Sequence, residues 1–190
     1  GALQNNTTGN ASVGVGQSAL ATATTAIYNV GIGHGSLSTT STGGQNVAVG
    51  YHSLKTYTGH DAIAIGAYAL EYATTGTQNI AIGSQAGRAL TTGGNNLALG
   101  QGALTNDDVG LGSVAIGTQA MVSQNIASAT YTFNTAVGFQ SLYYNVTGQG
   151  NTTLGYRAGM GSVTGASVSS TTAIGYHALR SITTGAANTA

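Results

Sequence analysis

The sequence predicts an all-β repeat protein, a β-solenoid or β-roll of about ten coils with a period of 17 residues. A nine-residue phrase recurs with variation, as in NVAVGYHSL at residues 46–54 and NIAIGSQAG at residues 79–87. A glycine inside the phrase returns at steps of 16 or 17 residues, with two longer steps of 21 and 20. Only 8 of the 190 residues are charged, yet 41% are hydrophobic, and the apolar residues keep fixed places in the phrase.

The repeat glycines set the frame for the other positions. The residue before each is aliphatic, the one before that is Ala, Gly or Thr, and the third residue after it is Ala or Ser. The fourth residue after it is usually Leu. These structural repeat glycines are Gly16, Gly33, Gly50, Gly66, Gly83, Gly100, Gly117, Gly138, Gly155 and Gly175.

Each phrase predicts a short β-strand that ends at the repeat glycine, because aliphatic and small residues alternate with period two. We expect Val47 and Val49 to point inward, and Leu54 to fill the next wall. We expect Ala48 to lie on the opposite face, where its small side chain admits a second subunit. Gly50 is expected to turn the corner with a positive φ or a close backbone approach.

The spacers predict a second strand and two corners in each period, because they often read Thr-Thr-Gly, two residues, then Asn. Two longer spacers, residues 122–133 and 160–170, are expected to protrude as loops. The array spans residues 1–190 as one continuous domain and is cut within a repeat at both ends. We therefore expect the chain to be an excerpt of a longer fibre.

The repeat phrase resembles the head repeats of trimeric autotransporter adhesins, the YadA-like heads. SVAIG at residues 113–117 carries this resemblance, and the Thr-Thr-Gly spacer with the Ala-Leu ending is similar to variants in bacteriophage tail-fibre and spike proteins. The resemblance covers residues 12–190 and implies a left-handed parallel β-roll with three chains to a bundle. The sequence differs from the family in its longer repeat period and in its two insertions.

The resemblance implies a non-enzymatic extracellular adhesin or receptor-binding rod, at a cell surface or on a virion fibre. A purely structural filament or shaft is the alternative, and an ice-binding solenoid, suggested by the abundant threonine, is third. The expected partners are the chain itself, as a homotrimer or filament, and a host-surface glycan or protein receptor. The four positive and four negative charges predict no basic surface for binding nucleic acid. The sequence contains no apolar run of 18 residues, so we do not expect this segment to insert into a membrane.

Neither catalytic residues nor a metal or cofactor site are expected. The histidines, His34, His52, His60 and His177, lack a recurring carboxylate or serine partner and are interpreted as surface side chains. Asp107 and Asp108 are expected to form a solvated corner, with a hard-cation site as the alternative. The GIG at residues 31–33 precedes no predicted helix that would hold a phosphate, and the sequons at Asn145 and Asn151 are expected by chance in this composition.

Tyrosine is the one large side chain used freely, with 10 copies. These rings either cap the coil surface and fill a groove between subunits, or contact sugars or a protein receptor. The candidate surface contacts are Tyr51, Tyr68, Tyr143, Tyr144, Tyr156 and Tyr176.

Overall fold

The computed structural model describes residues 1–40, 42–162 and 165–190, and it shows a parallel β-solenoid of about ten coils. Nearly every coil contributes one three-residue strand, and the described residues contain no helix. The strands are β1 (Val13–Val15), β2 (Val30–Ile32), β3 (Val47–Val49), β4 (Ile63–Ile65), β5 (Ile80–Ile82), β6 (Leu97–Leu99), β7 (Val114–Ile116), β8 (Thr135–Val137), β9 (Thr152–Leu154), β10 (Ser167–Ser169), β11 (Thr172–Ile174) and β12 (Thr184–Ala186).

Strands β1 to β9 and β11 form one ten-stranded parallel sheet, and β10 pairs with β12 in a separate parallel pair. Equivalent positions of the phrase pair across the large sheet, as Val47 does with Ile63 and Ala48 with Ala64. The predicted all-β solenoid of about ten coils is confirmed.

The prediction of two strands in every period is wrong. In most coils the spacer consists of turns, and its backbone N–H groups donate to carbonyl groups of the next coil, as Leu37 N does to Ser53 O at 3.1 Å. The stacking of one turn on the next therefore pairs these backbone groups without a second strand.

The predicted orientation of the strands is reversed. Ala48 is fully buried inside the coil, whereas Val47 and Val49 on either side of it are only half-buried and face outward. The interior is narrow at this point: a Cβ added to Gly31 would lie 3.2 Å from Leu20 Cγ. The central residue of each strand in the large sheet must therefore be small because it lies in the narrow core of the same chain. The aliphatic side chains on either side of it form the outer surface of the sheet.

The leucine four residues after each repeat glycine fills the core opposite the small residues. Leu54 is fully buried and has a φ of 46°, in the left-handed region that costs an ordinary residue about 1–2 kcal/mol. Glycine replaces this leucine in two coils, at Gly87 and Gly159. At Gly87, Leu90 enters the vacated space, where its Cδ1 would lie 3.1 Å from an added Cβ. Core volume is thus kept by moving the leucine three residues along the chain.

A ladder of buried asparagines runs beside the leucine column. Asn46 Oδ1 accepts from Ala62 N at 3.0 Å, while its Nδ2 donates to Gly59 O at 3.1 Å. Each asparagine of the ladder makes the same pair of bonds to the next coil. The ladder comprises Asn29, Asn46, Asn79, Asn96, Asn134 and Asn151.

Most of the repeat glycines sit against each other along the rod. Gly83 has a φ of 133°, and a Cβ on it would lie 2.6 Å from the backbone carbon and oxygen of Gly100. Such a position excludes every side chain, both because of the backbone conformation and because of the close approach.

The two insertions are partly built into the solenoid, so the expectation that each protrudes in full is wrong, although residues 127–129 of the first are exposed. In the first, Gln124 and Thr132 are fully buried. In the second, β10 pairs with β12 and buries Val168, while residues 163 and 164 lie outside the described residues. No helix in the described parts of the chain has the length and apolarity needed to cross a membrane.

Candidate interaction surfaces

The outer side of the ten-stranded sheet is an aliphatic face, defined by the first and third residues of strands β1 to β9 and β11. No residue of this face is buried, and Val15, Ile65 and Ile174 are 54%, 38% and 56% exposed. With strands about 4.8 Å apart, ten strands extend the face over about 43 Å. The third residue of every strand is aliphatic, giving the column Val15, Ile32, Val49, Ile65, Ile82, Leu99, Ile116, Val137, Leu154 and Ile174.

This face bears no charged residue, and its first column is aliphatic from Val13 to Val114 and threonine beyond that. A contiguous apolar surface of this length has no catalytic chemistry, but it gains free energy when another apolar surface covers it.

Next to the aliphatic face lies a ring cluster of His34, Tyr51, His52 and Tyr68, from three consecutive coils. Tyr51 stacks on His52 with ring centroids 4.0 Å apart and on His34 at 5.2 Å. Tyr68 stands edge-on to Tyr51, at 75° and 5.2 Å. The Tyr68 ring therefore stands at a steep angle to the stacked rings of Tyr51 and His52.

A charged column of Lys55, Glu71 and Arg88 borders the ring cluster, each residue lying five positions after a repeat glycine. The Glu71 carboxylate is buried and accepts from Arg88 Nε at 2.7 Å, and this hydrogen bond raises the pKa of Arg88. The Arg88 guanidinium also donates to the Tyr72 hydroxyl at 3.1 Å and lies over the Tyr68 ring at 5.3 Å. Arg88 is consequently held from several sides.

A second group of aromatic residues, the C-terminal stack, contains Phe139, Tyr156 and Tyr176. Their ring centroids are 5.5 and 5.2 Å apart and their planes deviate by only 9° and 11°, so successive rings cover each other's faces. Arg157 lies over the Tyr156 ring at 5.1 Å. Tyr143 and Tyr144 form a separate T-shaped pair at 4.6 Å.

Two of the four histidines have environments that lower their pKa. Burial is the main cause for His52, assisted by Lys55 and His34 and opposed by Glu71. Burial followed by Arg180 and Arg157 lowers the pKa of His177, whose Nε2 has no hydrogen-bond partner among the described residues. Both imidazoles are therefore neutral at pH 7.

The acidic pair does not form the solvated corner that the sequence predicts. Asp107 is fully buried: its Oδ2 accepts from Gln124 Nε2 at 2.7 Å and its Oδ1 from Gly110 N at 3.1 Å. The carboxylate of Asp108 instead bonds the Thr91 hydroxyl. The two carboxylates thus serve different partners, and no three His, Asp or Glu residues converge in the described part of the chain.

The sequon asparagines and His60 have structural partners. Asn145 and Asn151 are buried, and their Nδ2 atoms donate to Gly148 O at 3.0 Å and to Val168 O at 2.6 Å. His60 Nδ1 accepts from Gly44 N at 3.1 Å. Neither asparagine amide is exposed for glycosylation in the folded chain.

The chain matches no protein-family model, and it has no significant similarity to a curated protein or to a solved structure.

The structure brings together three pairs of the tyrosines singled out in the sequence: Tyr51 with Tyr68, Tyr156 with Tyr176, and the sequence neighbours Tyr143 and Tyr144. Sequence reasoning missed the charged column, although all three of its residues occupy the same place in the repeat. It also missed the buried Tyr57, which no sequence signal separates from the exposed tyrosines.

Proposed function

We propose that the protein is a non-enzymatic extracellular rod, an adhesin or receptor-binding fibre, that assembles as a homotrimer through its aliphatic face. The observation that carries the proposal is this face, an uncharged apolar surface along all ten strands of the large sheet. Isolated soluble chains rarely expose a contiguous apolar surface of this extent, whereas subunit interfaces bury such surfaces.

The homotrimer also rests on the resemblance of the repeats to YadA-like heads and phage tail-fibre variants. Three sheets round a common axis bring three aliphatic faces into one apolar interior, and each repeat adds the same contact. The side chains next to that interior, including the aromatic residues, remain on the outside of such a bundle and are available to a receptor. The regular part of each coil then supplies length and stiffness, and the variable positions supply recognition.

Two measurements test this proposal on the purified chain. Sedimentation velocity is expected to give the mass of a trimer, and a stable monomer with intact β signal would contradict the assembly. The fluorescently labelled trimer is then applied to panels of bacterial and animal cells, and saturable binding is expected. A well-folded trimer that binds no cell favours the alternative function of a structural filament or shaft.

The ice-binding alternative rests on one column of exposed threonines, Thr25, Thr42, Thr58, Thr75 and Thr92. Thermal hysteresis and ice-recrystallisation assays separate this alternative from the other two.

A further inference from the structure

We infer that the ring cluster and the charged column together form a binding platform for an uncharged oligosaccharide. This inference rests on the proposed function as a receptor-binding rod and names the chemistry of the ligand and its site.

The platform is built from amphipathic rings that remain accessible. Tyr51 of the ring cluster stacks on His34 and His52 and is still 43% exposed. Tyr72, which lies beside the cluster under the Arg88 guanidinium, is 47% exposed. A pyranose ring has one face rich in C–H groups, which packs on the apolar face of an aromatic ring, while its hydroxyls point sideways to polar groups. The 75° angle between Tyr51 and Tyr68 provides a bent apolar wall of this kind.

Polar groups suited to sugar hydroxyls border the rings and are already fixed in place. Glu71 is buried, accepts from Arg88 Nε at 2.7 Å and lies 3.9 Å from His52 Nδ1. The Tyr72 hydroxyl is held by the Arg88 guanidinium at 3.1 Å. The Arg88 guanidinium and the Tyr72 phenol offer donors and an acceptor, and the buried Glu71 carboxylate holds Arg88 in place. Groups held rigid before binding lose little entropy when a ligand arrives.

The charges favour an uncharged ligand over an acidic one. Recognition of a carboxylate or sulfate group calls for cations without an internal partner. Here Arg88 is bound by the Glu71 carboxylate, and His52 is neutral at pH 7 because its pKa is lowered. Lys55 alone among the charged column has no ion pair within the described residues.

The C-terminal stack provides a matched comparison within the same chain. Its rings lie nearly parallel, at 9° and 11°, so they form a flat stack in which Tyr176 is 74% exposed. Arg157, over the Tyr156 ring, has no carboxylate partner among the described residues and donates to Gln140 Oε1 at 2.8 Å. It has the same aromatic residue types without the angular wall and without the ion pair.

The test uses the full chain on a microarray of uncharged hexose and N-acetylhexosamine oligosaccharides together with their sialylated and uronic-acid counterparts. We expect binding to uncharged members, and we expect the double variant Tyr51→Ala with Tyr68→Ala to bind them about tenfold more weakly or worse. The control double variant Tyr156→Ala with Tyr176→Ala is expected to bind like the original chain. Arg88→Met, which keeps most of the side chain's bulk, is a second probe if the first variant folds poorly.

Three results would overturn the inference: binding to acidic oligosaccharides alone, no binding to any uncharged member, or equal loss of binding in the control variant. A second measurement distinguishes failure of this inference from failure of the proposed function. It compares cell binding before and after periodate oxidation of the cell-surface sugars. Cell binding that persists after periodate oxidation would support the receptor-binding function but would exclude an oligosaccharide as the ligand. Absence of cell binding before treatment removes the receptor-binding function itself.

Discussion

The hydroxyl of Tyr57 donates to the carbonyl oxygen of Gly76 at 2.7 Å, inside the core of the solenoid. In the next coil the equivalent carbonyl, that of Gly93, accepts from the Asn79 amide at 2.7 Å. Ala62 stands at the asparagine position of the Tyr57 coil and has no amide to donate. Tyr57 therefore supplies the hydrogen bond that the missing asparagine provides elsewhere.

Replacing Tyr57 by Phe is expected to lower the free energy of unfolding by about 1 kcal/mol, because the Gly76 carbonyl then keeps only the longer hydrogen bond from Asn79 Nδ2, at 3.3 Å. Equilibrium denaturation in urea measures this change. Tyr51→Phe, the same substitution at an exposed ring, is expected to change stability by less than about 0.5 kcal/mol. Equal effects of the two substitutions would contradict the role of Tyr57.

The double variant Tyr57→Ala with Ala62→Asn recreates the arrangement found one coil later, where Ala73 and Asn79 occupy these two positions. We expect it to be more stable than Tyr57→Ala alone, since the new amide reaches the Gly76 carbonyl. If denaturation shows no recovery, the hydroxyl and the amide are not equivalent.

Asn96 has the same function at an uninterrupted rung of the ladder. Its Oδ1 accepts from Ser113 N at 2.8 Å and its Nδ2 donates to Gly110 O at 2.8 Å. Asn96→Ala is expected to cost about 2–4 kcal/mol of unfolding free energy, because two buried backbone groups lose their partners. The neighbouring Asn95→Gln serves as control, since Gln78 occupies that exposed position in another coil with a similar φ. A comparable loss for both variants would argue against the ladder.

The repeat glycines and the glycines of the following turn should differ sharply in their tolerance of alanine. At Gly83 a Cβ would lie 2.6 Å from the backbone of Gly100, so Gly83→Ala is expected to cost more than about 3 kcal/mol. At Gly102 the φ is 65° and the nearest atom lies 3.4 Å away, and Gln85 holds the equivalent position with a φ of 62°. Gly102→Ala is therefore expected to cost only about 1–2 kcal/mol, the ordinary cost of the left-handed conformation. Thermal or urea denaturation of the two variants decides, and equal losses would contradict the close-contact argument.

The sequence predicts the coil period, the strand position and the repeat glycine because these depend on local patterns that recur. It predicts the orientation of the strand wrongly because alternation alone does not say which of two faces is inside. The face that lies inside is decided by the width of the coil interior. This interior is narrow, since a Cβ added to Gly31 would lie 3.2 Å from Leu20 Cγ. That width follows from the turn at each leucine, whose backbone is left-handed. Leucine has no preference for this conformation, so the sequence does not predict the turn.

The candidate surfaces are predictable in the same partial sense. Tyr51 and Tyr68 are in contact because the repeat period places them in neighbouring coils. An alignment of the repeats is enough to predict this contact. The burial of Asp107 depends on Gln124, from an insertion whose path is not repeated anywhere else in the chain. Contacts between repeated positions can therefore be derived from the alignment, while contacts with an insertion cannot.

Asp107 is expected to make stability depend on pH. Burial raises the pKa of its carboxyl, against the opposing effect of the hydrogen bonds from Gln124 and Gly110. Above its folded-state pKa the folded chain holds a buried charge that the unfolded chain exposes to water. Between the unfolded and the folded pKa the folded state binds more protons, so stability falls as pH rises through this interval.

The measurement compares the free energy of unfolding of the original chain and of Asp107→Asn from pH 7 down to pH 4. The original chain is expected to gain stability relative to the variant as the pH falls. The lowered pKa values of His52 and His177 act in the opposite direction, but both chains contain these residues and the difference removes their effect. Asp61→Asn, at an exposed site, is the control. A difference that is flat with pH for Asp107→Asn would contradict the prediction.

The aliphatic face should tolerate charge in the monomer but not in the trimer. Ile65 and Leu99 are each 38% exposed and point away from the coil interior, so Ile65→Glu with Leu99→Glu leaves the solenoid core intact. In the proposed trimer six glutamates would enter the apolar interior without partners, and the dissociation constant is expected to rise at least about a hundredfold. Sedimentation velocity, with circular dichroism on the same samples, is expected to show a folded monomer. The control, Thr75→Glu with Thr92→Glu, places the same charges on another exposed surface and is expected to remain trimeric. A trimer that survives charges on the aliphatic face would move the subunit interface elsewhere on the rod.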